Sequence, residues 1–317
     1  MTKTLMCPPE LFEQDLSGRC IIVTGANSGI GLITARQLAK QGASVVMACR
    51  RVSEGETCAA DIRKNYPSAK IEVCELDLGD LSSVRKFAKE FLVDHDTIHA
   101  LLNNAGVMAC PQGKTVDGFE TQIGINHLGH FLLTELLLDA IKKGAPSRIV
   151  NVSSCFHDEA MGKEGKMDFD DLFFEKRKYD KWESYAQSKL ANVLYAKGLA
   201  KRLEGTGVTA VSLHPGWVRT NLMRHTMSTS VQNFFLRPFL IAAGMIEPWE
   251  GAQTSLYSLL SPDVVNHSGE YYSQVGIYRD KSCAPGGWPL RSPNPHAHDD
   301  EAVEKLYEKS ADLVGLA

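Results

Sequence analysis

Short apolar runs alternate with amphipathic stretches along most of the chain. Cys20 to Val23, Ala43 to Ala48, Ile71 to Glu75, Ile98 to Leu102, Arg148 to Val152 and Val208 to Leu213 are each four to six residues long and rich in Val, Ile and Leu. Such runs predict strands buried on both faces. Between them Leu32–Lys40, Ser53–Asn65, Leu81–Val93, Phe119–Lys142 and Ser184–Leu203 carry apolar residues at helical spacing. Gly42 is placed to end the first helix, Ser53 to cap the second and Tyr66-Pro67 to stop it. Six strands alternating with helices predict an α/β fold, a Rossmann-type doubly wound parallel sheet in a single domain. In that architecture ligands bind beyond the C-terminal strand ends.

Three stretches break the rhythm: a charged insertion over about 156–181, a loop over about 217–248, and an extension over about 276–317. The extension holds a Pro/Gly-rich segment before a final helix, Asp299–Leu313. None reads as a linker and no repeat of fixed period is present, so residues 1–317 are expected to form one domain.

Composition narrows the function. The 317 residues are 44% hydrophobic and 23% charged, with a net charge of −4, ordinary for a globular protein and without the basic field that nucleic acid requires. Eight cysteines are scattered with no C-x-x-C pair, as expected of reduced thiols in a cytoplasmic protein. No segment reaches the roughly 18 apolar residues of a transmembrane helix, and Met1–Glu10 lacks a signal peptide's apolar core. The most membrane-like stretch, Phe234–Ile246, is interrupted by Arg237 and Pro238. It reads first as a pocket cover and second as a peripheral membrane contact.

Candidate chemistry sits at the strand ends. Thr24-Gly25-Ala26-Asn27-Ser28-Gly29-Ile30-Gly31 joins the first strand to the first helix. Glycines there let the backbone approach a pyrophosphate, toward which helix N–H groups and dipole are directed. After the second strand stand Arg50 and Arg51, with no acidic residue at 48–51. An acid there would accept from a free ribose 2′-hydroxyl, whereas an arginine pairs with a 2′-phosphate, so NADP(H) is the expected cofactor. Two solvated arginines would give the same letters. Asp77 and Leu78 follow the third strand, at the reach of an adenine amine, and Asn103-Asn104-Ala105-Gly106 closes the fourth. Ser154 ends the fifth, and Tyr185 and Lys189 lie four apart on the next helix, sharing a face. A nearby ammonium and a positively charged cofactor ring would lower the Tyr185 phenol and make it a general acid/base. Asn126 is placed to organise the Lys189 ammonium, or simply to cap a helix.

Thr24-Gly25-(three residues)-Gly29-Ile30-Gly31, Asn103-Asn104-Ala105-Gly106, Asn126, Ser154, Tyr185-(three residues)-Lys189 and Pro215-Gly216 together resemble the short-chain dehydrogenase/reductase family over about residues 17 to 275. Ala48-Cys49-Arg50, the run Asn126 to Thr134, Ser188 to Asn192 and His214-Pro215-Gly216 resemble its retinol dehydrogenase-like branch. The resemblance implies reversible hydride transfer between NADP(H) and a carbonyl or alcohol. Ser154 would hold the substrate oxygen, Tyr185 pass the proton, Lys189 bind the nicotinamide ribose and Asn126 support the relay. It assigns Gly25, Asn27, Ser28, Gly29, Ile30, Gly31, Arg50, Arg51, Asp77, Leu78, Asn104, Ala105, Gly106, Tyr185, Lys189, Pro215 and Gly216 to the cofactor. The 31 positions separating Ser154 from Tyr185 are long for the family but typical of this branch. Membrane-bound members carry an N-terminal apolar anchor, which Met1–Glu10 does not resemble. Relatives are often dimers or tetramers, so a homo-oligomer stays open.

Trp217, Leu222, Met223, Phe234, Phe235, Phe239 and Met245 give the loop after Pro215-Gly216 an apolar character. The expected substrate is therefore apolar: a retinoid or another lipid aldehyde, alternatively a steroid or xenobiotic carbonyl. A cofactor-binding redox sensor without turnover is the reading from another class, and intact Ser154, Tyr185 and Lys189 weigh against it. An epimerase or dehydratase fits the glycine spacing less well. His127, His130, His296 and His298 lack metal-ligand spacing, so no metal is expected. Ser153-Ser154 lacks a G-x-S-x-G elbow, which argues against a hydrolase.

Overall fold

The computed structural model describes residues 3–219 and 244–316. Seven strands make its main sheet: β1 (Cys20–Thr24), β2 (Ser44–Cys49), β3 (Lys70–Glu75), β4 (Ala100–Asn103), β5 (Ser147–Val152), β8 (Val208–His214) and β9 (Tyr271–Ser273). They pair in parallel throughout, in the order β3-β2-β1-β4-β5-β8-β9. Six are the runs expected from the apolar pattern. The seventh, β9, is only three residues long, too short to show a period, and exists because Ser212, Leu213 and His214 of β8 offer it a ladder.

Alternation along β1 explains the two layers of core. Cys20 and Ile22 pack with Phe131, Leu132 and Tyr195 on one face, while Ile21 and Val23 pack with Leu38, Ile62 and Leu256 on the other. Helices α3 (Leu81–Asp94), α5 (Gly129–Lys143) and α6 (Lys181–Arg202) cover the first face. Helices α1 (Gly29–Lys40), α2 (Val52–Asn65) and α7 (Pro248–Leu260) cover the second. Full burial of each such aliphatic side chain contributes about 1.5–3 kcal/mol, so neither face can be turned to water cheaply.

Helix starts differ from expectation at four places, the first being α1, which begins at Gly29 rather than Leu32. The α2 helix begins at Val52 with Arg51 at the cap position, so Ser53 lies in its first turn and is no cap. The chain leaving β2 reaches helical geometry one residue sooner, and the Ser53 carbonyl instead accepts from the Thr57 hydroxyl at 2.9 Å. The α6 helix begins three residues early because the Asp180 carboxylate accepts from the N–H groups of Trp182 and Glu183. The single helix expected over Phe119–Lys142 divides into α4 (Thr121–Ile123), a π turn (Gly124–Leu128) and α5. Glycines flank that turn for a steric reason. A Cβ on Gly124 would stand 2.5 Å from Thr115 Cγ2, and one on Gly129 would stand 2.4 Å from the Leu78 carbonyl oxygen.

The insertion and the extension pack on each other. After β5 the chain makes a 3-10 turn (Cys155–His157) and a small hairpin of β6 (Glu159–Ala160) and β7 (Lys163–Glu164). Asp158, fully buried, pairs with Arg279 of the extension at 2.7 Å. Residues 286–290 cover the sheet edge: Ser273 and Gly287 exchange backbone hydrogen bonds at 2.9 Å, and Leu290 donates to the Tyr271 carbonyl at 2.7 Å. Helix α8 (Asp300–Leu313), capped by Asp299, sets Val303 and Leu306 against Leu190 and Leu194 of α6. Among the described residues no helix is long and apolar enough to cross a membrane.

Candidate active site

A cleft of about 1130 Å³ lies over the C-terminal ends of the parallel strands. Its floor is the turn from β1 into α1. Gly25 and Gly29 stand at φ +65° and +56°, which other residues rarely adopt. A Cβ on Gly31 would meet Asn104 Nδ2 at 2.5 Å and the Gly25 carbonyl oxygen at 2.7 Å. Asn104 braces this turn, its Nδ2 donating to the Thr24 carbonyl at 2.7 Å. Asn27, Ser28, Gly29, Ile30 and Gly31 line the cleft where α1 begins, so its unpaired first-turn N–H groups lie at the wall. Asn103 faces away, buried against Thr134 and Asn151.

Thr24 is a junction. Its hydroxyl oxygen accepts from the N–H groups of Asn104 and Ala105, both at 2.9 Å, and lies 2.9 Å from His130 Nε2. His130 Nδ1 lies 3.1 Å from the Asn126 carbonyl, which can only accept. The network therefore assigns the proton to Nδ1, leaving Nε2 to accept from Thr24. Burial pushes His130 down to about 3, so it stays neutral.

Beyond the turn Arg50, Arg51, Asp77 and Leu78 line one end of the cleft. Arg51 is engaged by Glu54 at 2.9 Å, and Glu54 also accepts from Asn27 Nδ2 at 3.0 Å. Arg50 is exposed and makes no ion pair among the described residues. Asp77 keeps one oxygen on the Gly79 N–H at 2.9 Å.

At the other end Ser154, Tyr185, Lys189, Pro215 and Gly216 share the wall with Ala105 and Gly106. Burial pushes the Tyr185 phenol above its ordinary value, and a hydrogen bond with the Ser154 hydroxyl works against that rise. The expected lowering by Lys189 is not a property of the protein alone. The ammonium lies 5.7 Å from the Tyr185 ring centroid, and burial pushes it down to about 7. Lys189 Nζ donates to the Val152 carbonyl at 3.0 Å and pairs with no carboxylate among the described residues. A buried ammonium with donors to spare, beside a glycine turn and a helix N-terminus, fits the ribose hydroxyls and pyrophosphate of a dinucleotide.

Asn126 is buried beneath the cleft rather than in its wall. Its side chain clamps Val107, accepting from the N–H at 2.8 Å and donating to the carbonyl at 3.0 Å, and it donates also to Ser188 Oγ at 2.9 Å. It is no cap, and its side chain has no donor left for a relay.

Sequence reasoning missed part of the wall. Phe156, Met161, Trp182 and Ile277 line the cleft beside Tyr185. Phe156 meets Trp182 edge-on at 5.7 Å and Tyr185 at 6.3 Å. Trp182 was legible, three residues before Tyr185 on the same helix face. Ile277, far along the chain, carried no signal. Trp217 and Met245 also line the cleft. Leu222, Met223, Phe234, Phe235 and Phe239 lie outside the described residues. His127 pairs with Ser310, His296 with Glu164, and His298 with Lys197.

Comparison with known proteins gives concordant matches. A family model described as short chain dehydrogenase matches residues 19–163. Retinol dehydrogenase 12 of Homo sapiens is 45% identical over 95% of this chain and 88% of its own length. Retinol dehydrogenase 13 of Mus musculus is 43% identical over 98% of this chain and 87% of its own. Among solved structures, an uncharacterized protein from Mycobacterium paratuberculosis superposes with a TM-score of 0.73, at 34% identity over 95% of both chains.

Proposed function

The chain belongs to the short-chain dehydrogenase/reductase family, in its retinol dehydrogenase-like branch, and from that premise we propose that it transfers hydride between NADP(H) and an apolar carbonyl or alcohol. The observation that carries this reading is the convergence of Ser154, Tyr185 and a buried, carboxylate-free Lys189 on one cleft with an apolar rim.

When bound, the nicotinamide supplies the hydride donor or acceptor. Gly25 and Asn27 to Gly31 would hold the pyrophosphate, Arg50 would take the 2′-phosphate, and Asp77 and Leu78 would face the adenine. Asn104 fixes the turn, while Ala105, Gly106, Pro215 and Gly216 border the nicotinamide half. Lys189 donates to ribose hydroxyls. Ser154 donates a hydrogen bond to the substrate oxygen, and Tyr185 gives that oxygen its proton in reduction or takes it in oxidation. Asn126 acts through Val107 and Ser188, keeping the cleft floor and the Tyr185 helix in register. Phe156, Met161, Trp182 and Ile277 offer an apolar wall to the substrate, and the names of the curated relatives make a retinoid the first to test.

Purified protein with NADPH and a panel of retinoid, lipid, steroid and xenobiotic carbonyls is expected to oxidise NADPH. Tyr185→Phe should lower kcat by about 10²-fold or more while cofactor affinity stays within about twofold. Full activity in that variant would remove Tyr185 from the chemistry.

A further inference from the structure

The Pro/Gly-rich extension, for which the sequence suggests no role, reaches Ser154 through one buried histidine. His157 is fully buried, three residues after Ser154, and is unused by the chemistry above. Its Nδ1 lies 2.6 Å from the Ser154 carbonyl oxygen and its Nε2 lies 2.6 Å from Ser292 Oγ. A carbonyl oxygen can only accept, so Nδ1 carries the proton and Nε2 accepts from the Ser292 hydroxyl. The remaining bonds agree: Ser292 Oγ accepts from the Asn294 N–H at 3.2 Å, leaving its own proton for His157.

The extension grips the same turn twice more. Asn294 Nδ2, also buried, donates to the carbonyls of His157 at 2.6 Å and Gly165 at 2.7 Å. Gly165 has to be glycine for this approach, since a Cβ there would stand 1.8 Å from the His157 carbonyl oxygen. Behind Ser292, its carbonyl lies 2.8 Å from His298 Nε2, and His298 Nδ1 lies 3.1 Å from Lys197 Nζ on α6. The path thus ends on the helix that carries Tyr185.

We propose that His157 and Ser292 are positioning residues for the reaction: Ser292 anchors the far nitrogen of the His157 ring, and His157 holds the Ser154 backbone so that the Ser154 hydroxyl stays aimed at Tyr185 and the substrate oxygen. This rests on reading Ser154 as the holder of that oxygen. Neither side chain lines the cleft. Loss of the Ser292 hydroxyl leaves Nε2 without its donor, so the ring is held from one side only and the turn loosens.

The test combines kinetics with a readout independent of turnover. Ser292→Ala should lower kcat about 5- to 20-fold, the loss of one buried hydrogen bond, with NADPH affinity and Tm close to wild type. Ser292→Thr, which keeps the hydroxyl, should stay within about twofold, and His157→Asn, which keeps a donor toward Ser154, should retain more activity than His157→Phe. In a Ser154→Ala background, Ser292→Ala should change residual turnover no further. Nitrogen-15 NMR of labelled histidines should show His157 protonated at Nδ1 in the wild type and in Ser292→Ala, with the Nε2 resonance shifted in the variant by the loss of its hydrogen-bond donor. A wild-type kcat in Ser292→Ala, a fall in NADPH affinity parallel to kcat, or an Nε2–H tautomer in the wild type would overturn the proposal. Absence of turnover by the wild type on every carbonyl would instead overturn the functional reading. The NMR arm would then still decide the His157 and Ser292 pairing.

Discussion

Lys189 donates its ammonium to the Val152 carbonyl at 3.0 Å from a buried position. Burial pushes it down to about 7, so near neutral pH the cofactor-free protein holds it partly deprotonated. Ribose hydroxyls of a bound dinucleotide, accepting from Nζ as proposed, would stabilise the charged form and raise that value. Binding therefore takes up protons, and affinity falls as pH rises from about 7 toward the unperturbed lysine range. Calorimetric titration in two buffers of different ionisation enthalpy measures the uptake. Lys189→Met should remove it, separating it from titration of the cofactor's phosphate; an uptake unchanged in Lys189→Met would place the proton elsewhere.

Arg50 and Arg51 are neighbours in sequence but not equivalent. Arg51 is shared with Glu54, whereas Arg50 has no ion-pair partner among the described residues. Arg50→Ala should weaken NADPH binding about 10- to 100-fold, the loss of a charge-assisted contact, and leave NADH nearly unchanged. Arg51→Ala should cost less. Fluorescence titration with both nucleotides decides it, and an equal loss for both in Arg50→Ala would rule out the 2′-phosphate contact.

Among the described residues four histidines are buried neutral. Burial pushes His127 and His157 down to about 4, and His130 and His214 to about 3. Between the ordinary histidine value and those depressed ones the unfolded chain binds protons that the folded chain does not. Their contribution is present above about pH 6.5 and is lost as pH falls toward 4, at about 1.4 kcal/mol per pH unit for each group. Urea unfolding measured from pH 7.5 to 4.5 should show the loss, and His127→Gln should shallow the slope. A flat profile would mean these rings are protonated in the folded protein.

The sheet was legible because its inner strands are buried on both faces, and short continuous runs of Val, Ile and Leu, such as the one around Val45-Val46, suit little else; β3, at the sheet edge, departs from that expectation and has no buried residue. The cleft was legible where function depends on backbone shape, as at Gly25 and Gly31, or on a fixed spacing within one helix, as at Tyr185 and Lys189. The rest depended on long-range partners. Strand β9 needs the edge of β8, the π turn needs Thr115 and Leu78 to press on Gly124 and Gly129, and Ile277 lines the cleft from a segment held by long-range contacts such as that of Arg279 with Asp158. Asp180 as a helix cap lay within reach of the sequence; the charged insertion around it obscured the start of α6.

The hold of residues 292–294 on the turn behind Ser154 has a consequence for assembly during synthesis. The contacts that brace the glycine turn lie within the chain up to His130, whereas the support behind Ser154 waits for Asn294. Folding of the single domain as a unit must therefore close the contact between His157 and Ser292 across 135 positions before the acid/base end is held.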